Sequence, residues 1–238
     1  MEEIFAINEL GMDYIFPNPR FACDEGLLAY GGDLSPNRLL TAYRKGIFPW
    51  FNENDPILWW SPNPRLILVP NDFKVSKSLS KTIKSGKFEV RFDHDFRSVI
   101  KSCAAVPRRG QKGTWLTSQM QEAYIRLFDM GFAHSVESYM DNKLVGGLYG
   151  IAIGKCFFGE SMFANVSDAS KVALKTLSDV LACKGYDFID CQVSTEHLIS
   201  LGAIEISRDD FLDKLEFALQ KPSDIGSWQD LYRITNGK

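Results

Sequence analysis

The sequence predicts a protein of mixed α and β structure, of the α/β or α+β type, built around a mixed sheet. Two observations carry that expectation. From residue 63 onward, short runs rich in Val, Ile, Leu and Phe alternate with segments of helical period. Within that stretch, His134 to Met140 and Leu144 to Ile153 flank an Asp141-Asn142 turn, the pattern of a β-hairpin. The first third differs, being crowded with aromatics and turn formers. It reads as a small N-terminal domain over residues 1–62, ahead of a larger domain over 63–238.

In chain order, Ser35-Pro36 reads as a helix N-cap followed by proline at the first helical position, with Gly46 as the stop. Arg65 to Val69 is a strand. Phe73 to Ser85 is a helix, with Val75, Leu79 and Ile83 as an apolar stripe and Lys74, Lys77, Lys81 and Lys84 as a basic one. Phe88 to Phe92 is a strand and Asp95 to Cys103 a helix. Ser118 with Gln121 forms a capping box for a helix ending at Gly131. After the hairpin, Cys156 to Phe158 continues the sheet, and Ser167 or Asp168 opens a long helix ending at Gly185. Phe188 to Val193 is a strand, followed by short helices near Thr195 and Ser207.

Composition excludes several classes of protein. No apolar run approaches the roughly 20 residues that span a bilayer. Met1-Glu2-Glu3-Ile4 lacks the basic-then-apolar layout of a signal peptide, so a cytoplasmic location is expected, with no membrane partner. Cys23, Cys103, Cys156, Cys183 and Cys191 are scattered without Cys-x-x-Cys spacing, and His94, His134 and His197 show no ligand spacing. Neither a metal site nor a disulfide framework is indicated.

Charge is segregated. Residues 74–112 hold eleven Lys and Arg, including Arg108, Arg109 and Lys112, against three acidic residues, in a chain of net charge −3. A local positive field on an acidic body suits a polyanion that docks in one place, although a solvated helix face would look the same.

Several motifs stand in one order. They are Gly26 to Pro36 (GLLAYGGDLSP), Gly46 to Phe51 (GIFPWF), Trp59 to Pro62 (WWSP), Gly113-Thr114-Trp115, His134 to Glu137 (HSVE), Leu144 to Gly150 (LVGGLYG), Gly159 to Phe163 (GESMF) and Ile189 to Val193 (IDCQV). Together they resemble the leucyl/phenylalanyl-tRNA–protein transferase family, from about Phe16 to Arg208. The resemblance implies an α+β chain whose second domain is like that of the N-acetyltransferases (GNAT-like). It implies an aminoacyl-tRNA donor carrying leucine, phenylalanine or methionine. The acceptor would be a protein with N-terminal arginine or lysine, which the product marks for degradation, and no cofactor is implied.

Such a reaction exchanges an ester for an amide. The ester is already activated, so the site must supply orientation, an unprotonated amine and a partner for the developing oxyanion. Asp190 and Gln192, two apart on a strand, are expected on one face with Cys191 on the other. The resemblance places the family's proposed catalytic pair on them, with Asp190 holding the ammonium and accepting its proton. Gln192, a neutral amide, is left to position by hydrogen bonding. Glu160 is expected in the same pocket. Leu148, Met162, Leu174 and Leu177 align with the family's pocket for the donor side chain. Trp50 and Trp115 align with positions that contact the terminal adenosine or shape the entrance. Trp59 and Trp60 are expected at the domain junction. Lys77, Lys81, Lys84, Arg108 and Arg109 are the candidate acceptor-stem surface.

Two other readings stay open at this point. An acyl-CoA-dependent N-acyltransferase would carry a glycine-rich pyrophosphate turn before the helix from Ser167, where Asn165 to Ser170 (NVSDAS) stands instead. A non-catalytic RNA-binding module would explain the basic segment but leave the Asp190/Gln192 pair idle.

Overall fold

The structure is a computed structural model that describes residues 7–106 and 116–230. Among these residues two sheets form. The smaller holds β1 (Asn8–Leu10), β2 (Leu27–Gly31), β3 (Phe48–Pro49) and β4 (Leu58–Trp60) in the order β1-β2-β4-β3. Between β2 and β3 runs α1 (Pro36–Arg44). Ser35 caps it by accepting from the Arg38 N–H, and Pro36 takes the first turn, where no backbone donor is needed. Its inner face buries Leu39, Leu40 and Tyr43.

The larger sheet is built from β5 (Arg65–Leu68), β6 (Glu89–Phe92), β7 (Ala133–Met140), β8 (Lys143–Ile153), β9 (Cys156–Ala164), β10 (Phe188–Gln192) and β11 (Ile204–Ile206), in the order β11-β5-β10-β9-β8-β7-β6. Only β9 and β10 pair in parallel. Helices α3 (Phe96–Ala105) and α4 (Ser118–Asp129) cover one face together with α1 and α7 (Arg208–Leu219). Their cluster includes Tyr124, Tyr149, Phe158 and Phe188. Helix α5 (Ala169–Cys183) covers the other, burying Val172, Leu174, Leu177 and Leu181 against Leu148, Phe157 and Ile189. Residues 148 and 149, and 157 and 158, therefore face opposite clusters, as a two-residue pleat requires. Leu10, Phe48 and Trp59 of the small sheet join the first cluster, so one core runs under both sheets. Trp59 is fully buried there, and its indole N–H donates to Gly31 O at 3.0 Å.

Some sequence expectations shift. Helix α2 (Lys77–Lys84) begins after Ser76, whose hydroxyl accepts from the Leu79 N–H, four residues later than expected. Of its anticipated apolar stripe only Leu79 is buried, while Val75 and Ile83 are exposed. Thr117, not Ser118, caps α4, and Gln121 reaches the Leu116 carbonyl instead of closing a capping box. Strand β9 runs to Ala164, well past Phe158, the short helix after Thr195 is α6 (Glu196–Ser200), and α7 is a full three turns. No helix among the described residues is long and apolar enough to cross a membrane.

Candidate active site

Strands β9 and β10 part company. They pair from Phe188↔Cys156 to Asp190↔Phe158, after which β9 continues alone on that side to Ala164. A pocket of about 450 Å³ occupies the fork. Leu148, Phe157, Met162, Leu174 and Ile189 line it from the large sheet and α5, Phe48, Pro49 and the exposed Trp50 from the N-terminal layer, and Val193, Thr195 and His197 from the segment after β10. At the polar wall stand Glu160 and Gln192.

Both polar residues are placed by strand irregularities. On β9, Ser161 faces Tyr149 and Gly159 faces Gly150, so Glu160 is the extra residue of a bulge. Bulges re-aim side chains, and this one turns Glu160 towards the N-terminal layer. Gly150 is required opposite it, since a Cβ there would lie 2.2 Å from Phe158 O. On β10 the register against β5 slips between Asp190 and Gln192, and Gln192 adopts φ 63°, the left-handed region that side chains resist.

Glu160 is the hub. Its Oε1 accepts from the Tyr43 hydroxyl and from Gln192 Nε2, each at 2.8 Å, and its Oε2 accepts from the Tyr124 hydroxyl at 2.7 Å. The two hydroxyls lie 2.7 Å apart. A carboxylate offers about four lone-pair positions, so three donors leave Oε2 with one free. Burial pushes the Glu160 carboxyl up to about 7, the tyrosine and glutamine donors pull it back, and the Asp190 charge adds to the rise. Burial and the adjacent Glu160 hold both tyrosines well above their ordinary range, so they remain donors.

Asp190 has a different fate from Gln192. Its side chain is fully buried and does not line the pocket. Arg65 clasps it with two bonds, Nε to Oδ1 at 2.8 Å and Nη2 to Oδ2 at 2.6 Å. The Asp190–Gln192 pair therefore does not present one shared reactive surface, as two-residue spacing had suggested. The bulge takes Gln192 to the pocket wall and leaves Asp190 beneath it, while Cys191 packs with the α5 cluster and also touches the pocket.

Of the four anticipated side-chain-pocket residues, Leu148, Met162 and Leu174 line the cavity. Leu177 lies one turn further along α5, fully buried, and does not. Trp50 sits at the rim, partly exposed, and its carbonyl accepts from the Trp60 indole at 2.7 Å. Lys77, Lys81 and Lys84 are exposed on α2. Trp115, Arg108, Arg109 and Lys112 lie outside the described residues. Sequence reasoning missed Arg65, Tyr43 and Tyr124. A lone charge heading the buried run Arg65-Leu66-Ile67-Leu68 was a usable signal. The tyrosines sit on apolar helix faces and gave none.

Fold and pocket together define a mixed-sheet protein with a mostly apolar cavity bordered by a buried carboxyl that burial pushes up to about 7. The model of the leucyl/phenylalanyl-tRNA protein transferase family matches residues 67–216, and that of the family's N-terminal domain matches 32–63. The leucyl/phenylalanyl-tRNA–protein transferase of Sulfurimonas denitrificans is 58% identical over 84% of this chain and 87% of its own. That of Solidesulfovibrio magneticus is 55% identical over 90% and 87%, respectively. Among solved structures, a conserved protein of unknown function from Bacteroides thetaiotaomicron superposes with a TM-score of 0.43 at 13% identity, over 69% of this chain and 57% of that one, a likeness too loose to bear on function. The chain belongs to the leucyl/phenylalanyl-tRNA–protein transferase family, and is an aminoacyltransferase acting between tRNA and protein.

Proposed function

We propose that the pocket at the β9/β10 fork seats the leucine, phenylalanine or methionine side chain of an aminoacyl-tRNA, and that Glu160 receives the proton of the attacking amine. The acceptor is a cytoplasmic protein with N-terminal arginine or lysine, and the added residue marks it for degradation. The observation that carries this reading is Glu160 itself, a buried carboxyl raised to about 7 at the polar wall of an apolar cavity. A base poised near working pH combines the right ionisation with useful driving force. Its remaining lone pair on Oε2 can accept from the α-amino group, whose own pKa is near 8 in model peptides.

Gln192 supports Glu160 by donating to Oε1 and orients it along the pocket wall. Leu148, Met162 and Leu174 provide an aliphatic, adaptable surface that admits Leu, Phe and Met and excludes charge. Trp50 at the rim is a stacking platform for the terminal adenosine, a contact worth about 1–3 kcal/mol. The exposed lysines of α2 take the acceptor stem. A mixed sheet opened at its single parallel pair supports the N-acetyltransferase-like architecture that the resemblance implies. The division at residues 62/63 is part of the same reading.

The test is direct. Incubation with Leu-charged tRNA and an Arg-initiated peptide should yield a peptide heavier by one leucine residue, with no ATP or acyl-CoA added. Product from leucyl-CoA but not from Leu-tRNA would overturn the assignment.

A further inference from the structure

The Arg65–Asp190 pair lies outside the pocket, is fully buried and is joined by two hydrogen bonds, from Arg65 Nε and Nη2. Both side chains are at most 1% exposed, and the guanidinium lies over the rings of Phe48 and Phe211, 4.9 and 4.3 Å from their centroids. Phe48 lines the pocket. Asp190 Oδ1, besides meeting Arg65, accepts from the backbone N–H of Gln192 at 2.9 Å. That bond falls on the residue whose left-handed backbone brings its side chain to Glu160. A continuous series of contacts thus runs from Arg65 through Asp190 and the Gln192 peptide to the Glu160 carboxylate. Ion pairs this buried are expensive and give little net stability against apolar side chains of similar shape. Their value lies in geometry, because a bidentate fork fixes a carboxylate in plane and direction.

We propose that Arg65 is a positioning residue for aminoacyl transfer: it locks Asp190 so that Asp190 holds the Gln192 peptide in its left-handed turn, and Gln192 in turn aims Glu160 into the pocket. Asp190 acts through its hydrogen bond to the peptide and takes no proton from the amine. The inference rests on the pocket being the transfer site. A misplacement of about 1 Å at a reacting group costs on the order of 100-fold in rate, which sets the scale of the expected effect.

The experiment compares Arg65→Met, Asp190→Ala, Asp190→Asn and the double variant Arg65→Met/Asp190→Leu by kcat, KM for Phe-tRNA and amide exchange at Gln192. Arg65→Met and Asp190→Ala should each lose about 100-fold in kcat with KM for the donor changed less than about threefold. Asp190→Asn keeps an oxygen facing the Gln192 N–H and should retain more activity than Asp190→Ala. Each single variant strands a buried charge and risks misfolding. The double variant removes both charges, so it should fold while losing no more activity than the worse single change. The Gln192 amide should exchange faster in Arg65→Met and in the double variant. Two results would overturn the proposal: Asp190→Asn as damaging as Asp190→Ala while Arg65→Met remains active, which marks Asp190 as a base, or unchanged Gln192 exchange in the folded double variant. If the wild type itself forms no product, the functional reading fails separately, and exchange at Gln192 still decides whether Arg65 sets that peptide.

Discussion

Gln192 Nε2 donates to Glu160 Oε1 at 2.8 Å, joining two strand bulges across the point where β9 and β10 separate. Neither bulge alone makes a site. Together they bring an amide and a carboxylate to one wall of a mostly apolar cavity, where burial disfavours an ionised acid.

The first prediction is the pH dependence of transfer. Glu160 accepts a proton only when ionised, so activity should rise with pH through about 7. The groups facing Glu160 are Tyr43 from α1, Tyr124 from α4, and Gln192 with the Asp190 charge from β10, the last paired with Arg65 of β5. Glu160→Gln should lower kcat by about 10²–10⁴-fold and abolish that limb. The limb from the amine's own ionisation, near 8, should persist. A limb near 7 surviving in the variant would assign it to another group.

The same group governs a pH-dependent stability. Glu160 titrates near 7 folded and near 4.5 otherwise, so the native state holds its proton more tightly. Below about 4.5 both states are protonated and nothing is lost. As pH rises from there to about 7, ionisation favours unfolding, and above 7 the penalty is constant. The penalty is on the order of 3 kcal/mol. Glu137, also raised to about 7 by burial, behaves likewise. Urea unfolding at pH 5 and pH 7.5 should show a shallower loss of stability in Glu160→Gln than in wild type, with the share from Glu137 retained. Equal losses in the two proteins would mean that Glu160 is ionised in the fold well below pH 7.

Pocket wall and core can be separated by a pair of substitutions. Met162 lines the cavity and is only partly buried, so Met162→Ala should enlarge the pocket at small cost in stability. It should shift the Phe-to-Leu ratio of kcat/KM by on the order of tenfold, the scale of a few methylenes in an apolar site. Leu177 is fully buried without lining the cavity. Leu177→Ala should cost about 2–5 kcal/mol and leave the ratio unchanged. Competition between Phe- and Leu-charged tRNA, with thermal unfolding alongside, reads both. A reversed pattern would relocate the donor side chain.

Much of this was legible in the sequence, for identifiable reasons. The helix from Ser35-Pro36 and the hairpin around Asp141-Asn142 are set by local turn and cap chemistry, which needs no tertiary partner. Leu148, Met162, Leu174, Glu160 and Gln192 were placed at one site because motif resemblance carries three-dimensional information that composition lacks. Alternation put Asp190 and Gln192 on one face because it assumes an unbroken strand; the register slip between them and the ion pair of Asp190 with Arg65, 125 residues away, leave no local signature. Tyr43 and Tyr124 were invisible for a related reason. Their hydroxyls leave apolar helix faces to meet a carboxylate on a distant strand, and only packing reveals that meeting.

The last prediction concerns the basic helix. Lys77, Lys81 and Lys84 are exposed on α2, and α2 is tied to the start of α5 by the bond from the Thr82 hydroxyl to Asp168 Oδ2 at 3.1 Å. Helix α5 carries Leu174 at the pocket wall, so the basic face and the pocket are supported by adjacent elements. If these lysines meet the acceptor stem, they contact phosphates and read no bases. Each neutralised phosphate releases counterions, and binding then weakens steeply with salt. Replacing all three by Ala should raise the apparent requirement for Leu- and Phe-charged tRNA alike. It should flatten the log–log salt slope by up to about 0.9 per lost contact, the value for a duplex. Turnover at saturating donor should change little, because none of the three lines the pocket. Donor titrations at two salt concentrations, wild type beside the triple variant, make the measurement. An unchanged slope would reduce the stripe to a solvated helix face and move the stem elsewhere on the protein.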